Sequence, residues 1–208
     1  MIPRYQKILF VVLILASLAM GVVLWQLRQR AHRRLVAGEA SAPTKAPEVA
    51  PAEQATLVAA NDAENSLVPQ VHSLPLPADP GARARAVLGR LLDLYAAPDA
   101  AHPVPGGAAS VAQVFLLPAT GQRDPQNPGA QMAVVNLTGT FVASHPSGLE
   151  AETLTVLSIC GTLRANLPHV TQVRFLVDGQ QRPTLAGHAD LTRTYLTAEA
   201  VPTEGNKP

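Results

Sequence analysis

The longest apolar stretch of the chain, Ile8 to Leu27, reads ILFVVLILASLAMGVVLWQL and holds one polar amide, Gln26, near its end. About 20 apolar residues suffice to cross a bilayer as a helix. Lipid leaves an open chain no other way to satisfy its backbone. The pattern therefore predicts a single transmembrane helix over 8–27, behind a short N-terminal tail, 1–7. Tyr5 and Trp25 stand near the two interfaces, where amphipathic rings settle. A cleavable signal has a shorter apolar core, about 7–15 residues, with a small-x-small site behind it. This run instead leads straight into Leu27-Arg28-Gln29-Arg30, and no cysteine stands there for lipoprotein processing. It reads as an uncleaved signal anchor.

The pattern then changes character twice. Residues 28–54 begin basic, with Arg28, Arg30, Arg33 and Arg34, and continue as a Pro/Ala-rich segment in which Pro43, Pro47 and Pro51 recur every four residues. Such a segment has no apolar face to bury, and proline removes backbone donors, so it predicts an extended spacer. Periodic hydrophobicity returns over 55–196, enough chain for one domain with its own core. Residues 197–208 read as a disordered tail.

Within the domain, the apolar run Ala55–Ala60, the turn-rich Asn61–Ser66 and the loosely alternating Leu67–Leu74 predict a hairpin, with Pro69 marking an edge strand. Asp79-Pro80 is an N-cap followed by proline at the first helical position. Ala84, Val87, Leu88, Leu91, Leu92 and Tyr95 then make one helical stripe, with Arg83 and Arg90 outside it and Pro98 as the stop. Residues 97–107 predict a loop, Val111–Leu117 a strand, 118–131 an exposed loop and Met132–Leu137 a second strand. Ser147-Gly-Leu-Glu150 has the form of a capping box and opens a helix through Asn166. Its stripe is Leu149, Val156, Cys160, Leu163 and Leu167, widened by Leu154 and Leu157. Val173, Phe175 and Val177 alternate with Gln172 and Arg174 as a half-buried strand. Asp178-Gly179 signals a tight turn into a return strand near Thr184-Leu185. The order β-β-α-β-β-α-β predicts an α+β domain with two helices packed on one sheet.

Hydrophobic residues make up 47% of the chain and aromatic residues 4%, so alanine dilutes the apolar content. The first 54 residues carry 7 basic and 3 acidic side chains, the remainder 9 and 12. A mildly acidic domain excludes the basic footprint that nucleic-acid binding needs. Short flanks rich in Lys and Arg tend to remain cytoplasmic, and Arg28–Arg34 outweigh Arg4 and Lys7, which alone tilts the domain inward.

Taken in order, LVPQVHSLPLPADPGARARAVLGRLL, AVVNLTGTF and GLEAETLTVLSICGTLRANLPHVTQVRFLVDGQ, with the later AGHADL, resemble the GerMN domain family of sporulation and germination proteins. The matching positions are Val135-Asn136-Leu137-Thr138 with Phe141, an acid at Glu150 or Glu152, Thr162-Leu163, Pro168 with Val170, and Val177-Asp178-Gly179. The resemblance spans most of 55–196 and is strongest from Met132 to Leu191. Loop 118–131 is longer than the family's usual connection, and loop 97–107 lacks its compact leucine-glycine-proline ending. The resemblance implies a non-enzymatic envelope module, tethered outside the membrane, that binds an envelope protein partner, forms a homo-oligomer or binds a ligand. That places the domain outside the cytoplasm of a bacterial inner (cytoplasmic) membrane, against the tilt of the flanking charges.

The residues themselves offer no catalytic, cofactor-binding or metal site. His32, His72, His102, His145, His169 and His188 make no H-x-x-x-H pair, and there is no CxxC, so zinc spacing is absent. His188 with Asp190 is a conceivable ligand pair, read more simply as a solvated loop. Cys160 lies on an apolar stripe and reads as a buried, inert thiol. Glu150 and Glu152 are two apart on a helix and point to different sides, so they serve the helix N-terminus rather than act as an acid/base pair. Asn136-Leu137-Thr138 fits a glycosylation sequon at a strand end and is discounted. The sequence therefore supports a membrane-tethered, non-catalytic module that binds a protein partner or assembles with itself. The alternative is a receptor for a small ligand or cell-wall glycan, disfavoured because Trp25, the one tryptophan, belongs to the apolar run. A hydrolase would need a Ser/His/acid trio assembled only by folding.

Overall fold

The computed structural model describes Ser17, Met20 and residues 52–119 and 129–200. The transmembrane helix expected over 8–27 lies, apart from Ser17 and Met20, outside the described residues, as do the tail 1–7, the segment 28–51, residues 120–128 and residues 201–208 of the expected disordered tail. Among the described residues no helix is long and apolar enough to cross a membrane. Contacts divide the chain into Met1–Glu48 and Val49–Pro208, and the second unit holds the folded domain.

The domain is α+β, with two sheets and three helices. Strand β1 (Ala52–Asn61) pairs antiparallel with β2 (Ser66–Pro75) as the predicted hairpin, in the register Val58 opposite Pro69. Asn65, at φ 45°, closes the turn between them. Helix α1 (Pro80–Tyr95) begins where Asp79 Oδ1 accepts from Ala82 N at 2.7 Å, with Pro80 at the start. Its buried face includes the predicted stripe Ala84, Val87, Leu88, Leu91, Leu92 and Tyr95.

A 3-10 turn (Gly107–Ser110) leads into β3 (Val111–Pro118), which pairs antiparallel with β4 (Gln131–Leu137). Two helices follow, α2 (Gly139–Ser144) and α3 (Leu149–Asn166), and return the chain to β5 (Val170–Val177) parallel to β4. Val173, Phe175 and Val177 are buried in β5 on the expected alternation, and Val170 is buried beyond a register shift at the strand's start. Asp178 (φ 49°) and Gly179 (φ 77°) make the tight turn; two left-handed residues in succession are the signature of a type I′ hairpin. The order of the second sheet is β3-β4-β5-β6, with β6 at Tyr195–Leu196.

Four expectations change. The hairpin and the later strands form separate sheets, not one. The reason is visible on the inner edge of β1, where side chains stand in for a neighbouring strand. Thr56 N donates to Asn166 Oδ1 (3.1 Å), Val58 N to Thr162 Oγ1 (2.9 Å) and Ala60 N to the Tyr95 hydroxyl (2.8 Å). These alternate residues expose one strand edge, which α3 and α1 satisfy completely enough to exclude another strand. Helix α3 accordingly packs chiefly along β1 and against α1. Second, α2 was not foreseen: Thr138 Oγ1 caps it by accepting from Phe141 N, and Phe141 and Val142 anchor it in the core. Third, the return strand pairs at Tyr195–Leu196; Thr184 makes only an isolated bridge to Asp190. Fourth, Ser147 does not cap α3. Gly148 stands at the cap position, and Glu152 rather than Glu150 reaches back, its Oε1 accepting from Gly148 N at 3.2 Å. At the margins, Ala52–Gln54 belong to β1, and Thr197–Glu199 form a 3-10 turn followed by buried Ala200.

Candidate functional site

The first turns of α3 meet the β1–β2 turn, the 97–107 loop and the 183–192 loop, and the polar chemistry of the domain concentrates there. Helix α3 buries polar residues on the same turns as its apolar ones: Glu152, Thr155, Ser158 and Thr162 all have no exposed surface. Each has partners. Ser158 Oγ donates to Thr155 O at 2.8 Å, and Thr162 receives Val58 N.

Glu152 fastens the 183–192 loop. Its Oε2 accepts from Ala186 N (2.9 Å), His188 N (2.8 Å) and Ala189 N (2.8 Å), and its Oε1 from His188 Nδ1 (2.9 Å). Burial alone would raise this carboxyl. The converging backbone N–H groups of Ala186, Ala189 and His188, with the His188 ring, outweigh it and hold the carboxyl down at about 2. Glu150, two residues away, is exposed.

Beside it runs a second network. His102 Nδ1 lies 2.5 Å from Asp62 Oδ1, and His102 Nε2 lies 2.7 Å from Thr155 Oγ1. His145 Nε2 approaches the same hydroxyl at 2.8 Å, while His145 Nδ1 donates to Pro146 O at 2.7 Å. Tyr95 packs edge-on to His102 at 4.7 Å, and Phe141 edge-on to His145 at 5.5 Å. Burial lowers the proton affinity of His145, against the pull of the Pro146 carbonyl. Asp62, His102 and Thr155 have the order of a hydrolytic trio. The hydroxyl, however, is wholly buried and already engaged by a second imidazole, so no substrate atom can reach it.

Above both networks lies a groove between the β1–β2 turn and α3. Its two adjoining clefts, of about 500 and 390 Å³, share Leu149, Glu150 and Leu154. Leu67, Leu154 and Leu157 supply apolar lining, and Asp62, Glu150 and Glu199 supply acidic groups. Leu149 is 66% exposed at its rim.

The other residues singled out in the sequence scatter. His188 and Asp190 do not pair: His188 serves Glu152, while Asp190 accepts from Thr192 N and Thr192 Oγ1. Cys160 is buried, which pushes its thiol up, away from the reactive thiolate. Asn136 Oδ1 accepts from Gly179 N at 2.8 Å, and Asp178 Oδ1 from Gly139 N at 3.0 Å. The two sequence motifs thus interlock, each fixing the turn that follows the other. His169 is exposed and its carbonyl accepts from Gln131 N. His32 lies outside the described residues. Among the described residues no group of three His, Cys, Asp or Glu is arranged to hold a metal ion. Sequence reading missed His102, His145 and Thr155. The one available signal was two histidines in Pro-containing connections, which carries no pairing information.

A family model described as Germane, sporulation and spore germination, matches residues 54–183. Among solved structures the chain is similar to the tandem GerMN domains of the sporulation protein GerM from Bacillus subtilis, with 14% identity and a TM-score of 0.42. That similarity covers 76% of this chain and 51% of the other, so the chain spans about half the length of the tandem structure. The first GerMN domain of the same protein is similar at 14% identity and TM-score 0.37, covering 71% of this chain and 98% of that one. A protein from Clostridium perfringens, described as a lipoprotein candidate, is similar at 19% identity and TM-score 0.33, covering 75% and 95%. No curated protein matches the chain.

Proposed function

Since this chain belongs to the Germane family of sporulation and spore germination, we propose that it is a membrane-tethered GerMN module that binds a protein partner or a second copy of itself in the bacterial cell envelope. The family's description names sporulation and spore germination and no reaction, and the buried trio around Thr155 offers no reachable nucleophile. The observation that carries the reading is the groove along α3, apolar within, acidic at its edge, and rimmed by an exposed Leu149. An isolated exposed leucine is ordinary; one continuous with a leucine-lined groove marks a contact surface. Among the described residues no aromatic side chain lines the groove, which disfavours the stacking platform that a glycan receptor uses.

The apolar run Ile8–Leu27 supplies the tether, and the Pro/Ala segment behind it the spacer, with the domain outside the cytoplasm. The test is the size of the detergent-extracted full chain. The wild type is expected in an assembly larger than one chain, and Leu149→Asp is expected to shift it to the single-chain size. Equal, single-chain size for both proteins contradicts the reading.

A further inference from the structure

The hydrogen atoms of the network that runs from the exposed Asp62 to the buried His102, Thr155 and His145 can be counted. Pro146 O only accepts, so His145 Nδ1 carries a proton. Asp62 and His102 Nδ1 share another. Between the two Nε2 atoms stands one hydroxyl with one hydrogen. If both rings are neutral and Asp62 is ionised, both Nε2 atoms are bare lone pairs, and Thr155 can serve only one. The other then faces the oxygen lone pair across 2.7 or 2.8 Å with nothing between them. Thr155 Oγ1 also lies 3.1 Å from Ala151 O, a competing acceptor for the same hydrogen. Every arrangement in which both Nε2 contacts are hydrogen bonds therefore contains at least one more proton.

We infer that the folded domain retains this additional proton on the Asp62–His102 pair, with His102 Nε2 donating to Thr155 and Thr155 donating to His145, so that the network is a proton-dependent lock between the β1–β2 turn, the 97–107 loop and α3. The placement follows from the surroundings. Asp62 on the turn sets a carboxylate against His102 Nδ1, whereas His145 Nδ1 meets only the neutral carbonyl of Pro146. The other titratable groups that face the network are Tyr95 of α1, Glu152 of α3 and the two imidazoles themselves. Asp62 also lines the groove above, so the lock holds one wall of that groove in place.

The sign of the linkage follows. An unfolded histidine releases its proton near about pH 6.5, whereas the folded network keeps one. A folded domain that holds one proton more than the unfolded chain loses stability as pH rises.

Two measurements on the full chain test this. With 15N-labelled histidine at pH 7.5, the ring spectra are expected to show a proton on His102 Nε2 and none on His145 Nε2. A proton on His145 Nε2 instead, or on neither, overturns the inference. In urea unfolding from pH 6.5 upward, the unfolding constant of the wild type is expected to rise by up to about tenfold per pH unit. Asp62→Asn removes the counter-charge and is expected to flatten that rise. Equal slopes in the two proteins overturn the inference, and the ring spectra of the wild type decide it even where the variant fails to fold.

Discussion

Glu152 shows how one residue organises a loop that has almost no regular structure. Residues 180–194 contain only isolated bridges, yet Leu185, Ala189 and Leu191 are buried because three backbone donors, Ala186, His188 and Ala189 N–H, converge on a single carboxylate. Its carboxyl lies at about 2 in the folded domain, against an ordinary value of 4.5. The unfolded chain thus binds the proton first. The stabilisation, about 3 kcal/mol at about 1.4 kcal/mol per pH unit of displacement, is present above pH 4.5 and drains away as pH falls toward 2. Acid unfolding followed by circular dichroism should show this loss in the wild type and a shallower one in Glu152→Gln. At pH 7, Glu152→Gln is expected to cost about 3 kcal/mol, since its amide cannot accept from all the donors that now converge. The sequence pointed to an acid at 150 or 152 but not to which one. Both fit the helix N-terminus, and only the incoming 183–192 loop, far away in sequence, distinguishes them.

At the scale of elements, the inner edge of β1 explains why the hairpin stands apart from the four-stranded sheet. Thr162→Val keeps the shape but leaves Val58 N–H buried without an acceptor, at an expected cost of about 1–3 kcal/mol. Native-state hydrogen exchange should show Val58 and Ala60 amides losing protection first. Unchanged protection at Val58 would mean that the edge is satisfied otherwise. The close approach of α3 to β1 also depends on Gly161, where an added Cβ would meet Val58 Cγ1 at 3.0 Å. Gly161→Leu is expected to destabilise by about 1–3 kcal/mol through overpacking, read from the urea midpoint. The sequence made β1, β2, α1, β3, β4, α3 and β5 legible because each carries a clean period or a turn signal. Helix α2 has six residues, too few for a helical period to register. The buried threonines and serine of α3 lie outside its apolar stripe, and periodicity cannot tell solvent from a neighbouring element that supplies polar partners. The separation of the two sheets rests on those same side chains and was invisible for the same reason.

Across the whole molecule, the family match agrees with the resemblance read from the sequence, and the folded domain keeps the order of elements read there with α2 added. The groove that carries the functional reading was not legible. It joins a turn at 62–66 to a helix that begins at 149, and nothing local links them. The tether carries a separate prediction. In intact cells, externally added protease is expected to remove the 52–200 domain from a membrane-retained N-terminal fragment. Protection in intact cells with cleavage only after permeabilisation would place the domain inside, as the Arg28–Arg34 flank alone suggests. The central claim is that α3 and the β1–β2 turn present a protein-binding groove, and photo-cross-linking from position 149 in intact cells tests it most directly. A discrete protein adduct, to a partner or to a second copy, is expected from position 149 and not from the exposed position 182. Equal yields from both positions, or no protein adduct from either, would contradict it.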